Sequence, residues 1–60
     1  MPAPVIGGIR FGNKLYEVKY DLRSRHVYVS HAGWTRVGSA DSPRDAMSKA
    51  EAWLLDNLKP

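Results

Sequence analysis

The sequence predicts an α+β domain in which an antiparallel three- or four-stranded β-meander precedes one C-terminal α-helix packed on one face of the sheet (ββββα). Apolar and polar residues alternate with a period of two through the first two thirds of the chain, and turn residues interrupt that alternation at short intervals. After Ser42 the apolar period becomes helical. Sixty residues suit one domain, with 1–4 as a flexible N-terminus, 5–38 as the sheet and 42–58 as the helix.

The first hairpin is predicted at Gly12-Asn13, because glycine in the first position of a two-residue loop suits a type II′ turn. This loop pairs Phe11 with Lys14 and Ile9 with Tyr16. Alternation then divides the two strands into an apolar and a mixed face. The apolar face carries Val5, Ile9, Phe11, Tyr16, Val18 and Tyr20, and the other carries Ile6, Arg10, Leu15, Glu17 and Lys19.

The second turn is predicted over residues 21–24, which read Asp-Leu-Arg-Ser. A four-residue loop at this place pairs Val18 with Val27 and Tyr16 with Val29. That register keeps the apolar face continuous across the second and third strands.

The third turn contains His31-Ala32-Gly33, and two loop lengths are open to it. A two-residue Ala-Gly loop would mix the two faces. A three-residue loop with its final glycine in the left-handed region pairs Val29 with Thr35 and Val27 with Val37. We prefer the three-residue loop because it leaves one face entirely apolar.

The helix is predicted to start sharply and to run from about residue 43 to 58. Ser42 is a candidate N-cap, Pro43 occupies the first helical position, and Asp45 lies three residues after the cap. The apolar stripe of this helix consists of Ala46, Met47, Ala50, Trp53, Leu54 and Leu58. A stripe at this spacing indicates a helix that packs on the apolar face of the sheet and leaves the other face open.

The open face of the predicted sheet is the candidate binding site. Its predicted rows are Arg10, Leu15, Ser30 and Trp34; then Glu17, Tyr28 and Arg36; then Lys19 and His26. Basic side chains on a sheet face are also common in surfaces that bind nothing. An exposed tryptophan beside a leucine is more typical of a contact surface, so we favour binding over a merely solvated face.

The favoured ligand is a nucleic acid, with DNA first. Arginine and lysine on strands can read base edges in a major groove, and Arg10, Lys19 and Arg36 are candidates for this. Trp34 and Tyr28 could instead stack on unpaired bases. Near the strand ends, Lys14, Arg23 and Arg25 are candidates for phosphate contacts.

The charge distribution fits an anionic partner. The chain has a net charge of +3, and the basic excess lies in residues 1–40, which hold six Lys and Arg against Glu17 and Asp21. The alternative is a protein partner, as for an antitoxin or a phage-encoded inhibitor of a host protein, and a homodimer is also open. We expect no membrane partner.

Catalysis, metals and cofactors are not expected. The chain has no cysteine, and His26 and His31 are five residues apart, which places them on opposite faces of a strand. Ser30, His31 and Asp21 supply the residue types of a hydrolytic triad without its geometry. No secretion signal or membrane-length apolar run is visible, so we expect a cytoplasmic protein of bacterial or phage type.

Two short segments resemble known families. GIRFGNKLYEVKYD and VGSADSPRDAMSKA are similar to the sheet-plus-helix DNA-binding domains of the plant ethylene-response (apetala-two) type and to the arm-type domains of tyrosine integrases. The matching residues are Gly8, Ile9, Arg10, Val37, Gly38, Asp41, Ser42 and Ala46. The resemblance implies a sheet that lies in the major groove, with contacts from Arg10, Lys19, Trp34 and Arg36; relative to those three-stranded domains, this chain adds the strand RHVYVS.

The junction GWTRVGSADSPRDAMSKAEAWLLDNL also resembles HicB-type antitoxins, which run from glycine through Asp-Ser/Thr-Pro into an alanine-spaced helix. That resemblance implies a toxin as protein partner and no catalysis. Those antitoxin domains are usually acidic and have a proline-rich turn before this junction, whereas this chain is basic and lacks that turn.

Overall fold

Four strands and one helix follow one another in the predicted order. A computed structural model describes residues 4–31 and 33–58. The strands are β1 (Val5–Phe11), β2 (Lys14–Tyr20), β3 (His26–Ser30) and β4 (Trp34–Ser39), and the helix is α1 (Pro43–Asn57). They form one antiparallel sheet in the order β1-β2-β3-β4, which confirms the ββββα prediction. Residues 1–3 of the predicted flexible N-terminus (1–4) and the loop residue Ala32 lie outside the described residues.

The first hairpin has the predicted register. Phe11 pairs with Lys14 and Ile9 with Tyr16. Gly12 has a φ of +64°, in the left-handed region, whereas Asn13 has no positive φ. That combination fits a type II′ turn, in which only the first loop residue needs a positive φ.

A β-bulge changes the start of β1. Val5 pairs with Lys19 and Gly7 with Val18, so Ile6 is an extra residue on β1. The prediction that put Val5 on the apolar face and Ile6 on the other face is therefore wrong. Ile6 packs against the core, and Val5 is 49% exposed.

The register between β2 and β3 differs from the prediction by two residues. Val18 pairs with Val29 rather than Val27, and Tyr20 pairs with Val27. The Asp21 N–H donates to the His26 carbonyl at 3.0 Å, so the turn proper covers residues 22–25 rather than 21–24. It ends at Arg25, whose φ of +66° lies in the left-handed region. Because the slip is two residues, the side chains of β2 and β3 keep their predicted faces.

The register between β3 and β4 is confirmed at one end and wrong at the other. Val29 pairs with Thr35, and Gly33 has a φ of +85°, as a three-residue loop requires. Val27 pairs with Gly38 rather than Val37 because β4 contains a second bulge. Gly38 has a φ of +153°, which side-chain-bearing residues rarely adopt, so the glycine accommodates this bulge.

The helix has the predicted cap and apolar stripe. The Ser42 Oγ accepts a hydrogen bond from the Asp45 backbone N–H at 3.1 Å, and Pro43 opens the first turn. Ala46, Ala50 and Leu54 are fully buried. The two alanines allow α1 to lie close to the sheet, where Leu54 joins the strand valines in one core.

Tyr20 connects the sheet to the helix junction. Its side chain is buried, and its hydroxyl donates a hydrogen bond to the Ala40 carbonyl at 2.8 Å. The Ala40 N–H donates in turn to the Arg25 carbonyl at 2.9 Å. Both contacts fix where the chain leaves β4 and so where α1 begins.

Candidate functional site

The sheet has one face against α1 and one face without a packed element among the described residues. The covered face contributes Ile9, Tyr16, Val18, Tyr20, Val27 and Val29 to the core or its margin. The opposite face, called the open face below, carries Val5, Gly8, Arg10, Leu15, Glu17, Lys19, His26, Tyr28, Ser30, Trp34 and Arg36. Strand alternation places these residues together.

The two-residue slip between β2 and β3 changes which open-face residues are neighbours. Lys19 pairs with Tyr28, and Tyr28 pairs with Arg36, so an aromatic ring is flanked by two cations. The predicted rows, which put Leu15 beside Ser30, Glu17 beside Tyr28 and Lys19 beside His26, are therefore wrong. Glu17 lies one row away, where its backbone N–H donates to the Ser30 Oγ at 2.8 Å.

Lys19 and Trp34 form a cation–π contact across the sheet. The lysine lies on β2 and the tryptophan on β4, about 10 Å apart in strand spacing. The Lys19 Nζ reaches across β3 and lies 4.0 Å from the Trp34 ring centroid. A large part of Trp34, 44%, stays exposed. One aromatic ring and one ammonium group therefore share a small surface region.

A second group of side chains joins β3 to β4. Arg36 Nη1 lies 3.4 Å from His26 Nε2, and the Tyr28 hydroxyl lies 3.5 Å from His26 Nδ1. A guanidinium is only a donor, so Nε2 accepts from it, and in the neutral ring Nδ1 carries the proton toward Tyr28. These contacts keep the Arg36 side chain along the sheet surface, so that it does not project away from the sheet.

The β1 edge of the open face carries exposed apolar side chains. Leu15, 60% exposed, lies over Gly8, where an added Cβ would come within 3.1 Å of the Leu15 Cδ1. Arg10 pairs with Leu15 and places a third cation beside it. Val5, brought to this face by the bulge at Ile6, adds a further exposed apolar side chain.

Three predicted site residues lie away from the open face. Lys14 is the first residue of β2, and strand alternation assigns it to the covered face. Arg23 lies in the β2–β3 loop. The Arg25 Nη1 lies 3.4 Å from the Asp41 Oδ1. The structure thus brings together Lys19, Tyr28, Trp34 and Arg36. It places Arg10 on the same face but at the β1 edge, and it puts Lys14, Arg23 and Arg25 elsewhere.

A shallow cleft of about 370 Å³ lies between the β2–β3 loop and the start of α1. Its lining residues are Ser24, Arg25, Ser39, Ala40, Asp41, Asp45 and Lys49. Both of its cations are paired with carboxylates: Arg25 with Asp41, and Lys49 with Asp45 at 3.1 Å. The Lys49 hydrogen bond and a second one from the Asp41 backbone lower the pKa of Asp45. These contacts hold the helix start in place.

The two histidines lie on opposite faces, as predicted, but one of them has a packing role that the sequence did not indicate. His31 lies between Tyr16 and Trp53, with ring centroids 5.9 and 5.7 Å away. His26 lies on the open face. Within residues 4–31 and 33–58, no group of three or more His, Cys, Asp or Glu side chains could hold a metal ion.

The helix formed by residues 43–57 is too short and too polar to cross a membrane, and the part of the chain that the structure describes has no other helix. Comparison with known proteins adds no relative: no family model, no curated protein and no solved structure matches this chain.

Proposed function

We propose that this chain is a small, non-catalytic nucleic-acid-binding module, with DNA as the first ligand, and that it binds through the open face. The observation that carries the proposal is the group of Lys19, Tyr28, Trp34 and Arg36 on the face opposite α1. A third cation, Arg10, lies on the β1 edge of the same face. Cations that neutralise phosphates supply most non-specific affinity for nucleic acids. Aromatic rings add contacts to bases.

The test of this proposal is the salt dependence of DNA binding. If the three open-face cations each meet one phosphate, the slope of log K against log salt is roughly −2 to −3. Anisotropy of a labelled oligonucleotide at several salt concentrations measures that slope. Binding that does not respond to salt, or no binding in dilute buffer, would contradict the proposal.

A matched pair of charge variants separates the open face from the overall charge. Arg36→Gln and Arg44→Gln each remove one positive charge, but Arg44 is exposed on the first turn of α1, on the other side of the molecule. We expect Arg36→Gln to weaken DNA binding severalfold and Arg44→Gln to leave it nearly unchanged. Equal losses from both variants would indicate attraction by net charge alone.

Glu17→Gln provides a gain-of-affinity test. Glu17 places a carboxylate one row from Lys19 and Tyr28 and opposes a polyanion there. Its removal lowers the repulsion of phosphates, so we expect tighter DNA binding with an unchanged thermal midpoint. Weaker binding of this variant would instead mean that the carboxylate contacts the ligand.

The second candidate function is binding of a protein partner, as an antitoxin or a phage-encoded inhibitor binds its target. The exposed apolar side chains Val5, Leu15 and Trp34 on the same open face favour it. Leu15→Ala distinguishes the two functions: it lies at the apolar end of the face, so it should affect a protein partner or self-association more than DNA. Sedimentation of the chain alone over a range of concentrations tests the homodimer.

A further inference from the structure

We propose that the ligand of the open face is a single-stranded nucleic acid, whose unpaired bases stack on Trp34 and Tyr28. This inference rests on the proposed nucleic-acid function and specifies its ligand. Four features of the open face lead to it: its width, the position of its cations, the relative position of its two aromatic residues and the exposure of Trp34.

The open face is too wide to enter a duplex groove as a whole. Four strands at a spacing of about 4.8 Å span about 14 Å between the outer strands. The major groove of B-DNA is about 12 Å wide and admits a helix or a two-stranded ribbon. Trp34 lies on β4 and Lys19 on β2, so a two-stranded insertion would leave one of these partners outside the groove. A single strand can lie across all four strands.

The cations lie along the sheet rather than projecting from it. Lys19 is extended over β3 to Trp34, and Arg36 is held by His26. A side chain that reads base edges in the major groove must reach into a depth of about 8.5 Å. Both side chains would have to leave their partners to do so. For a strand that lies flat on the sheet, both charges are already at the level of the phosphates.

The two aromatic rings are placed for successive bases. Tyr28 pairs with Arg36, and Trp34 lies two residues before Arg36 on the same strand, so Tyr28 and Trp34 are diagonal neighbours. Diagonal neighbours on one sheet face have Cα atoms about 7–8 Å apart, a separation within reach of aromatic side chains. Unpaired bases stack on such rings, whereas bases within a duplex have their faces covered by neighbouring base pairs.

Trp34 keeps enough free surface to receive a base. It is 44% exposed although the Lys19 Nζ lies against its ring. The ammonium group lies over one face of the ring, so a base stacks on the opposite face, and the ammonium can meet the phosphate of the same nucleotide. Trp34 and Lys19 thus match one base and one phosphate, the repeating unit of a single strand.

The experiment compares a labelled 15-residue oligo(dT) with the duplex of oligo(dT) and oligo(dA) of equal length in the same low-salt buffer. We expect the single strand to bind at least tenfold more tightly than the duplex. Equal or tighter binding of the duplex would overturn the single-strand inference and leave the proposed function standing. If neither DNA binds, the proposed function itself fails, and this inference fails with it.

Trp34 variants test the stacking directly. Trp34→Ala should weaken oligo(dT) binding about tenfold or more, whereas Trp34→Phe, which keeps a ring, should retain most of the affinity. Leu55→Ala is the matched control, because Leu55 is an exposed apolar residue on α1. Equal affinities of Trp34→Ala and Trp34→Phe would exclude stacking on this ring.

Fluorescence adds a readout that a purely structural role of Trp34 would not change. In a Trp53→Phe background, Trp34 is the only tryptophan of the chain. Oligo(dT) should quench its emission in proportion to the bound fraction, since a stacked base contacts the indole. Binding of oligo(dT) without quenching would contradict a base on Trp34.

Discussion

The two faces of one sheet differ in what their side chains contribute. On the covered face, Val18, Val27 and Val29 are fully buried against α1. On the open face, Lys19 and Trp34 contact each other across β3 while remaining accessible to solvent. A chain of 60 residues has a thin core, so nearly all of its stability must come from the covered face.

In this molecule the residues that stabilise the fold are separate from the residues proposed to bind. Strand alternation sends neighbouring residues to opposite faces, so the residues that hold the fold and the residues proposed to bind interleave along the chain. Val18, for example, is buried in the core, whereas the adjacent Lys19 belongs to the proposed binding surface. Substitutions of adjacent residues should therefore differ in effect. One should lower the free energy of unfolding, and the other should weaken ligand binding.

The largest contrast is expected between Leu54 and Leu55. Leu54 is fully buried in the core, whereas its neighbour Leu55 is 53% exposed. Leu54→Ala should lower the free energy of unfolding by about 2–5 kcal/mol, enough to unfold much of a domain this small. Leu55→Ala should change it by less than about 0.5 kcal/mol. Urea unfolding followed by circular dichroism measures both, and similar losses would mean that α1 packs through a different face.

The tyrosines of the two faces give the next contrast. Tyr20→Phe removes the hydrogen bond to the buried Ala40 carbonyl and should cost about 1–2 kcal/mol. Tyr28→Phe removes only a 3.5 Å contact to His26 at the surface and should cost less than about 0.5 kcal/mol. Urea unfolding of the two variants, side by side, checks the pair. A larger loss for Tyr28→Phe would show that the open face also holds the fold together.

The sequence predicted the elements well because their signals are local. A glycine-asparagine loop set the first register, and Ser42 with Pro43 set the start of α1; both predictions are confirmed. The face of each strand residue between Ile9 and Tyr28 also followed from alternation. A slip of two residues between β2 and β3 left these faces unchanged.

The three register differences arise from backbone conformations without a strong residue signal. Arg25 adopts a left-handed φ that arginine does not favour, and the bulges at Ile6 and Val37 insert ordinary apolar residues. Each bulge lies next to a glycine, Gly7 or Gly38, and glycine inside a strand often marks a bulge. That signal was available in the sequence and would have corrected the faces of Val5 and Ile6.

The composition of the candidate site was predictable, but its contacts were not. Alternation placed Lys19, Trp34 and Arg36 on one face, whereas the cation–π contact between β2 and β4 depends on a register that the loop at Arg25 determines. The contact of His31 with Trp53, which is distant in sequence, likewise depends on how α1 lies across the sheet. Which ligand the open face takes stays a prediction.

Arg25 offers a stabilising substitution. Its φ of +66° suits glycine, and a non-glycine residue there costs roughly 1 kcal/mol. The Arg25–Asp41 ion pair that would be lost is 60% and 92% exposed and contributes little. Arg25→Gly should raise the free energy of unfolding by about 0.5–1 kcal/mol, with Arg25→Ala as the control that keeps the strain. A loss of stability in Arg25→Gly would show that the ion pair outweighs the strain.

Acid should weaken the β2–β3 loop and the start of α1. Backbone hydrogen bonds from Arg23 and Ser24 lower the pKa of Asp21, and hydrogen bonds from Lys49 and the Asp41 backbone lower that of Asp45, both from 3.8. Because the folded pKa values are lowered, these groups stabilise the fold above pH 3.8 and lose that contribution as the pH falls below it. Thermal melts from pH 5 to pH 2.5 should show a falling midpoint.

The matched variants for the acid experiment are Asp21→Asn and Asp45→Asn, which keep a carbonyl acceptor but cannot titrate. Each should make the pH dependence of the thermal midpoint shallower, and the double variant should be shallower still. Both carboxylates lie at the end of the molecule where the β2–β3 loop meets α1. An unchanged pH dependence in the double variant would place the acid-sensitive contacts elsewhere.

The smallest expected effect on stability belongs to Arg36, and it tests the comparison of the two faces most directly. Arg36 is exposed, its contact with His26 is 3.4 Å long, and the guanidinium has no buried partner whose hydrogen bond would be lost. Arg36→Ala should therefore leave the free energy of unfolding within about 0.5 kcal/mol of the parent value while weakening DNA binding. A large loss of stability would mean that the Arg36–His26–Tyr28 contacts hold β3 to β4. In that case the open face would be a second structural surface, and its basic side chains would need no ligand to account for them.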